Sequence, residues 1–358
     1  MKYKIKDVAK INKRVINKKY NGTINYMDTS SVTDNVFNDP KVYSSIKEAP
    51  SRARRVANLG DTIISTVRPN MKHTGFIDKA RYKDCIYSTG FAIVTPFEDR
   101  VDPFYLYLVL TNNENTELLQ SIGETSTSTY PSVKPSDIEN LEHDFPSINE
   151  QKEISTTIKM LENKIYLNNK INTNLFELAN IIFQQSFNCN GNIPLSHYFL
   201  PKRGKNLLKK NVEPGAVPVV AGGLKPAAYH NISNTETPVI TISASGANAG
   251  YVQIWGQKVW SSDSSYIDSS ITDNIYFWYI FLKSRQKQIF DAQTGSAQPH
   301  IYPKHIGNLL ISELDEEQVQ SFNKKVTPIF EKIFQNQRNN SVMEDVKNSL
   351  LYKFFNDY

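Results

Sequence analysis

Two long segments of the chain carry apolar residues at the spacing of an amphipathic helix. In residues 146–187, Pro146 ends the preceding segment, and Ser147 with Glu150 forms the pattern of a capping box. Apolar residues then recur every three or four positions to about Ser186, with no Pro or Gly between them. Residues 313–358 repeat the pattern from about Asp315 to Phe355, but they include Pro328, which we expect to kink that helix or delay its regular start.

The apolar stripe on each predicted helix is narrow, so each helix needs a partner helix to bury it. Near its middle, each helix has two asparagines at positions of the apolar stripe, and antiparallel pairing would bring these asparagines together as a device that fixes the register. The alternative is that the asparagines only bind water where the helices splay apart. The predicted pairing residues are Ile154, Ile158, Leu161, Ile165, Asn168, Asn172, Phe322, Val326, Ile329, Ile333, Asn336 and Asn340.

The chain repeats itself, because an offset of 168 residues places Ile158 on Val326 and Ile138 on Ile306. A slightly larger offset aligns residues 75–77 with 250–252 and residues 102–105 with 273–276. We therefore predict an α+β protein with two pseudo-repeated α/β globules, residues 1–145 and 188–312, joined by two long helices that form an antiparallel coiled coil. Strands are expected at residues 62–67, 86–94, 238–243 and 251–255, and buried helices at 105–110 and 276–282.

The charge distribution indicates a polyanionic ligand more clearly than the net charge of +5 does. Residues 1–95 hold 18 basic and 8 acidic residues, and residues 196–230 hold 6 and 1, whereas residues 96–187 hold 6 and 14. Two basic blocks separated by an acidic one suit a polyanion that is gripped at two places. A solvated surface without a ligand is the alternative.

The sequence lacks the motifs of the common enzyme classes. It has no glycine-rich phosphate loop, nucleophile elbow or deaminase zinc motif. The two Glu-x-Lys pairs, at Glu150 and Glu162, fall on the first long helix, where we interpret them as helix surface residues. His300 and His305 lack a third ligand, so we predict no metal site and no catalytic residue. With two cysteines, Cys85 and Cys189, and no signal or membrane segment, a cytoplasmic location is expected.

Basic and amide residues in predicted loops are instead typical of nucleic-acid recognition, because Arg can bond a guanine edge twice and Asn an adenine edge twice. Each globule has such loops, and glycine and serine near them allow close approach to a phosphate. The candidate DNA-binding residues are Arg52, Arg54, Arg55, Arg68, Asn70, Lys72, Thr127, Ser128, Tyr130, Lys134, Lys202, Arg203, Lys205, Lys225, Asn248, Ser296, Gln298, His300 and Lys304.

The chain resembles the specificity subunits of type I restriction–modification systems over nearly its whole length. The resemblance rests on RARR at residues 52–55, GDTIISTVRPN at 60–70, STGF at 88–91, PSINEQ at 146–151, VPVVAGG at 217–223 and GSAQ at 295–298. It implies two target-recognition domains that each read half of a bipartite sequence in double-stranded DNA, with the helices as a ruler. The second globule lacks the first one's RARR and STVRPN sequences, so the two half-sites should differ.

The same resemblance implies that the chain is not catalytic and carries no cofactor. Two modification subunits would bring S-adenosylmethionine, and restriction subunits would bring ATP and magnesium; no membrane partner is expected. Two other hypotheses remain open at this point. The chain could be a self-contained DNA methyltransferase or nuclease with divergent motifs, or a stand-alone DNA-binding regulator.

Overall fold

The structure is a computed structural model, and it describes residues 2–17, 19–126, 130–188, 190–295 and 298–356. The chain divides into two compact units. The first unit comprises Met1–Asn163 and Glu344–Tyr358, and the second comprises Lys164–Met343. Because both division points fall inside long helices, each unit contains a globule and a part of each helix.

The globule of the first unit is built from short strands and five helices, after which the first long helix begins. Its strands are β1 Lys2–Lys4, β2 Ala9–Ile11, β3 Ile24–Met27, β4 Val32–Thr33, β5 Val36–Phe37, β6 Lys41–Tyr43, β7 Ala53–Val56, β8 Thr62–Ser65, β9 Thr74–Phe76, β10 Ile86–Ser88, β11 Phe91–Pro96 and β12 Glu142–Asp144. Its helices are α1 Ile5–Val8, α2 Ala80–Lys83, α3 Pro103–Thr111, α4 Asn113–Glu124 and α5 Pro135–Glu139, followed by the long helix α6 Ile148–Ser186.

The second unit repeats this order in reduced form. Its strands are β13 Ile193–Pro194, β14 Lys202–Arg203, β15 Val217–Val220, β16 Ala228–His230, β17 Val239–Ser243, β18 Val252–Trp255, β19 Trp260–Ser261, β20 Ser264–Asp268 and β21 Leu310–Ile311. Its helices are α7 Ile275–Ser284, α8 Gln286–Asp291 and α9 Pro303–Gly307, followed by the second long helix α10 Glu316–Asn356.

The sheets show that the two globules share one topology. The antiparallel order β2-β11-β8-β9 of the first unit recurs as β14-β20-β17-β18 in the second. A second sheet, β6-β3-β10-β7, recurs as β16-β15-β19, without an equivalent of β7. The equivalent pairs β3-β10 and β15-β19 are both parallel. The β1-β12 pair recurs as β13-β21. The predicted duplication is therefore present in the hydrogen-bonding pattern as well as in the sequence.

Each long helix is fixed to its globule at the start of a buried aromatic helix. The Asp102 carboxylate accepts hydrogen bonds from the first backbone amides of α3, and the Ser155 hydroxyl of α6 donates to it. In the second unit Asn323 of α10, which is 168 residues after Ser155, accepts directly from the backbone amides of Tyr276 and Phe277 in α7. The first backbone amides of α3 and α7, which have no partner within their own helix, are thus satisfied by Asp102 in the first unit and by Asn323 in the second.

The two helices pair antiparallel within each unit. In the second unit Phe183 packs against Phe322 with ring centroids 5.6 Å apart, and farther along Asn172 meets Asn336. Residue numbers fall in α6 as they rise in α10, as antiparallel pairing requires. In the first unit Ile154 and Ile158 lie in the main core cluster, and residues 350, 351, 354 and 355 of α10 pack against that cluster. The predicted mixed α/β fold with paired antiparallel helices is confirmed.

Two local expectations were wrong, and one of the two alternatives for Pro328 is excluded. Residues 86–94 do not form one strand, because a turn at Thr89–Gly90 separates β10 from β11 and the two strands join different sheets. Residues 75–77 do not match 250–252, because the ladders place Gly75 opposite Ile63 and Gln253 opposite Thr241, which is an offset of 178. The second helix begins at Glu316 and continues through Pro328, so the proline does not delay its start.

Candidate nucleic-acid interface

The end of β8 leads into a tight turn that presents several of the predicted DNA-binding residues. Residues 65–73, STVRPNMKH, form this first recognition turn. Arg68 and Lys72 both have left-handed backbones with φ of 50°, and Pro69–Met71 form a single 3₁₀ turn between them. The amide of Arg68 donates to the Pro131 carbonyl at 2.8 Å, which joins the turn to the loop that precedes α5.

The side chains of Arg68, Asn70 and Lys72 in the first recognition turn are exposed, and the turn also holds some of them in place. The guanidinium carbon of Arg68 lies 4.2 Å from the centroid of the Tyr130 ring, a cation–π stack. The ammonium of Lys72 donates to the Asn113 side chain at 3.1 Å. Asn70 is exposed, and its backbone amide donates to Gln120. The turn therefore presents one guanidinium, one amide and one ammonium group side by side.

Backbone hydrogen bonds bring only part of the RARR sequence to this turn. The carbonyl of Arg52 accepts from the amide of Thr89, and the carbonyl of Gly90 accepts from the amide of Thr66 in the turn. Arg54 and Arg55 lie on β7 and are half-buried, and burial lowers the pKa of Arg55. Exposed Lys134 precedes α5. Arg52 is thus close to the turn, whereas Arg54 and Arg55 lie on the β-sheet, at its β7 edge.

The second unit contains the same turn with a different sequence. Residues 243–251, SASGANAGY, form the second recognition turn, offset by 178 from the first. Gly246 and Gly250 have left-handed backbones at the places of Arg68 and Lys72, with φ of 78° and 88°. The amide of Gly246 donates to the Pro299 carbonyl at 3.1 Å, just as Arg68 donates to Pro131.

Further hydrogen bonds confirm that the two turns are equivalent. The amide of Val133 donates to the Thr66 carbonyl, and the amide of Ile301 donates to the Ala244 carbonyl, both at 2.9 Å. Sequence reasoning missed this match, although Ser65 and Asn70 recur as Ser243 and Asn248. The signal is weak because a turn of this kind constrains backbone angles more than side chains.

Several predicted residues of the second globule lie around the second recognition turn. The Asn248 side chain donates to the Gly222 carbonyl, which brings the loop carrying Lys225 against the turn. The backbones of His300 and Ser245 pair in an isolated antiparallel β-bridge. The Ser245 hydroxyl donates a hydrogen bond to Asp263. Arg203 forms an ion pair with the same Asp263 at 2.9 Å. These groups surround the turn with basic and amide side chains.

The remaining predicted residues of this globule are exposed but less constrained. Lys202 donates to Ser270, and Lys205 follows β14. Gln298 immediately precedes the Pro299 that accepts from the turn, and Lys304 lies in α9. Thr127, Ser128 and Ser296 were also predicted to bind DNA, and they lie outside the described residues, as does Cys189. None of these placements tests DNA contact itself.

The predicted pairing residues at the middle of the helices form a ladder of asparagine hydrogen bonds in the second unit, in which Asn340 also donates to Asn169. The side-chain amide of Asn168 donates to Asn340, and that of Asn336 donates to Asn172, both at 2.8 Å. Asn168 and Asn336 are each only 3% exposed. Among the apolar pairing residues, Ile154, Ile158, Phe322, Val326 and Ile333 are buried, whereas Leu161, Ile165 and Ile329 are half-buried.

The described residues contain no group of three or more His, Cys, Asp or Glu side chains arranged to hold a metal ion. Glu150 caps α6 by accepting from the Ser147 amide at 2.9 Å, and Glu162 pairs with Lys347 at 3.8 Å, so both Glu-x-Lys pairs have structural partners. In the part of the chain that is described, no helix combines the length and apolarity that a membrane span requires.

Comparisons with known proteins agree with this geometry. The family model for the type I restriction modification DNA specificity domain matches residues 1–177. The chain is 30% identical over 162 residues to the type I restriction enzyme HindI specificity subunit of Haemophilus influenzae, covering 45% of this chain and 35% of that protein. It is 23% identical over 316 residues to the MjaIX specificity subunit of Methanocaldococcus jannaschii, covering 74% of this chain and 70% of that protein.

A solved structure shares the fold over the full chain. The crystal structure of the S subunit of a type I restriction–modification system from M. genitalium superposes with a TM-score of 0.65 at 17% sequence identity, covering 100% of this chain and 96% of that one. The chain spans about a third of the length of the HindI subunit and 70% of the MjaIX subunit. Residues 1–177 of this chain belong to the family of type I restriction modification DNA specificity domains.

Proposed function

We propose that this chain gives a type I restriction–modification complex its DNA sequence specificity. Each unit reads one half of a bipartite target in double-stranded DNA, and the paired helices set the spacing between the halves. The observation that carries the proposal is the recurrence of one recognition turn in both globules, each time surrounded by basic and amide side chains. Phosphate contacts from the basic residues would supply affinity, and contacts to base edges would supply specificity.

The chemistry in this proposal belongs to partner subunits. Two modification subunits carry S-adenosylmethionine and methylate the DNA, and restriction subunits use ATP and magnesium to cleave it. The chain itself holds no cofactor and acts in the cytoplasm as a scaffold for these partners. The structural partners of Glu150 and Glu162 support this division, because they give both Glu-x-Lys pairs a role other than catalysis.

Comparison of DNA methylation in host cells with and without the gene tests the proposal. Deletion should abolish methylation at one split motif whose halves are about one helical turn, or ~34 Å, apart. Restoring the wild-type gene should restore the motif. An unchanged set of methylated motifs would contradict the proposal.

A second measurement separates the proposal from the two alternative hypotheses. The purified chain alone should neither transfer methyl groups nor cleave DNA, and it should copurify with a modification subunit when both are expressed. Methyl transfer or cleavage by the chain alone would identify a self-contained enzyme. Tight, sequence-selective binding without a modification subunit would identify a stand-alone regulator.

The spacing role has its own test. Removal of matched heptads from α6 and α10 shortens both helices by about 10 Å at 1.5 Å per residue while each seam stays in phase. The methylated motif should keep both half-sites and change only its spacer length. An unchanged spacer would remove the ruler from the proposal and leave the recognition role intact.

A further inference from the structure

The two recognition turns share a backbone but differ at one exposed pair of positions. Arg68 of the first turn corresponds to Gly246 of the second, and Tyr130, which precedes Pro131, corresponds to Gln298, which precedes Pro299. We propose that this pair sets one base pair in each half-site: Arg68, held on Tyr130, reads a guanine, and Gln298, beside Gly246, reads an adenine. The proposal rests on the function proposed above.

The geometry of Arg68 suits base recognition. Its left-handed backbone and its amide bond to Pro131 point the side chain out of the turn, and the Tyr130 ring, 53% exposed, supports the guanidinium at 4.2 Å. Stacking restricts the rotamers of a long side chain, so less entropy is lost when it binds. A guanidinium stacked by its face keeps its N–H edge for the two bonds that O6 and N7 of guanine accept.

The ion pairs and backbone angles of the two turns argue against a purely structural role for Arg68. Among the described residues Arg68 forms no ion pair, in contrast to Arg203 in the second unit, which is paired with Asp263. A left-handed backbone is disfavoured at a residue other than Gly, Asn or Asp. The second unit makes the same turn with glycine, so the fold itself does not require an arginine at this place.

The second recognition turn has different residues at the two positions of the Arg68–Tyr130 pair, and they suit recognition of a different base. A Cβ atom placed on Gly246 would meet no heavy atom within 4 Å, so this place is open space where the first unit has the Arg68 side chain. Gln298 stands where the first unit has Tyr130, and it is exposed. The carboxamide of glutamine can bond N6 and N7 of adenine together, and the absent side chain at residue 246 lets the turn approach the DNA more closely.

Selection of bound duplexes from a library randomised in both half-sites tests this inference. The full chain is used, with any modification subunits that copurify. Arg68→Ala should reduce the preference for guanine at one base pair of one half-site by about 10- to 100-fold and leave the other half-site unchanged. Gln298→Ala should act in the same way on an adenine in the other half-site. Tyr130→Ala should weaken the guanine preference, whereas Tyr130→Phe, which keeps a ring for stacking, should retain it.

The exchange variant provides the strictest test. Gly246→Arg with Gln298→Tyr rebuilds the first unit's pair on the second turn, and the open space at Gly246 accommodates it. This variant should prefer guanine where the wild type prefers adenine. Retention of the wild-type adenine preference would overturn the assignment of the second pair.

Other outcomes separate this inference from the function on which it rests. If the wild-type chain selects no sequence, the proposed function fails. If the wild type selects a split sequence but Arg68→Ala weakens binding equally at all sequences and lowers the salt dependence, Arg68 contacts a phosphate and the inference fails. Equal loss at both half-sites would show that Arg68 maintains the fold, which would also overturn the inference.

Discussion

The two units place different side chains at the same position of their long helices. Residue 162 of α6 is glutamate in the first unit, and residue 330 of α10, offset by 168, is phenylalanine in the second. Phe330 is 1% exposed and stacks on Tyr276 with centroids 4.5 Å apart and planes 9° from parallel. Glu162 instead lines a polar cleft of about 650 Å³ and pairs with Lys347. Burial raises the pKa of Glu162, and Lys347 offsets part of that rise.

Other positions of the same helices are retained. Ile158 and Val326, also offset by 168, are both fully buried, and Asn168 and Asn336 are both 3% exposed. The contrast teaches that the fully buried positions and the central asparagines are retained in both units, whereas residues 162 and 330, only one helical turn from Ile158 and Val326, have diverged with their own surroundings. The short strands before the helices show the same divergence, with His143 in β12 and fully buried Ile311 in β21.

The largest effect should follow from removal of the aromatic stack that Phe330 makes in the second unit. Phe330→Ala deletes a fully buried ring that contacts Tyr276 and Tyr279, and it should lower the free energy of unfolding of the second unit by about 3–5 kcal/mol. Urea unfolding followed by hydrogen exchange, which reports each unit separately, measures this change.

Glu162→Ala is the matched control for that variant. Its side chain is 34% exposed and its ion pair is near the surface, so the free energy of unfolding of the first unit should change by less than about 1 kcal/mol. Similar losses for the two variants would show that the two helix positions are packed alike, contrary to the structure.

His143 should make the first unit sensitive to acid in a way that Ile311 cannot reproduce in the second. Burial lowers the pKa of His143 from 6.5 to about 4, although Asp144 nearby favours its charged form. Its Nε2 lies 3.1 Å from the Tyr105 hydroxyl, and the rings of Phe145 and Phe355 surround it. Because the unfolded chain binds the proton more readily between pH 6.5 and 4, stability should be lost as pH falls through this window.

His143→Ile isolates that contribution. At pH 4 the wild type should have lost about 2 kcal/mol relative to the variant, after allowance for the partial exposure of the ring. Urea midpoints at pH 7, 5 and 4 for both proteins give the difference in stability between wild type and variant. The contributions of the carboxylates, which both proteins share, cancel in this difference. The same pH dependence in wild type and variant would contradict a neutral, buried His143.

The sequence was sufficient to predict the helices because their signals are local and repeated. The capping box at Ser147 and Glu150 forms, and the spacing of Ile154 and Ile158 marks the buried face. The split of residues 86–94 was not predictable in the same way, because the apolar residues on both sides of Gly90 have the same β propensity and only tertiary pairing assigns them to different sheets.

The Asn ladder should contribute equally from both helices, in contrast to residues 162 and 330. Asn168→Ala leaves Asn340 without its donor, and Asn336→Ala leaves Asn172 without its donor, so each variant should lower the free energy of unfolding by about 1–2 kcal/mol. Urea unfolding measures both. Replacement of both Asn168 and Asn340 by Leu should restore or exceed wild-type stability while it weakens the definition of the helix register. Unequal losses for the two alanine variants would contradict the equivalence of these two hydrogen bonds.

The candidate interface was only partly predictable for a physical reason. Arg68, Asn70 and Lys72 stand out in sequence because they are polar residues after a strand, and the structure places them in one turn. Gly246 does not stand out, because its equivalence to Arg68 lies in backbone angles and in the hydrogen bond to Pro299. The offset also changes from 168 in the helices to 178 in the turns, since the intervening loops differ in length.

The equivalence of the two turns predicts a small effect at Gly246. Gly246→Ala adds a Cβ that meets no heavy atom within 4 Å, so it should cost only the left-handed backbone strain of about 1 kcal/mol. Gly250→Ala bears the same strain, but its Cβ would lie 2.8 Å from a methyl carbon of Ile289, so its loss in thermal stability should be clearly larger. Calorimetry of the two variants against wild type measures the difference. In the first unit, Arg68 occupies the position equivalent to Gly246 with a φ of 50°. If Gly246→Ala lost as much thermal stability as Gly250→Ala, the second turn would not tolerate a side chain at the position where the first turn carries one.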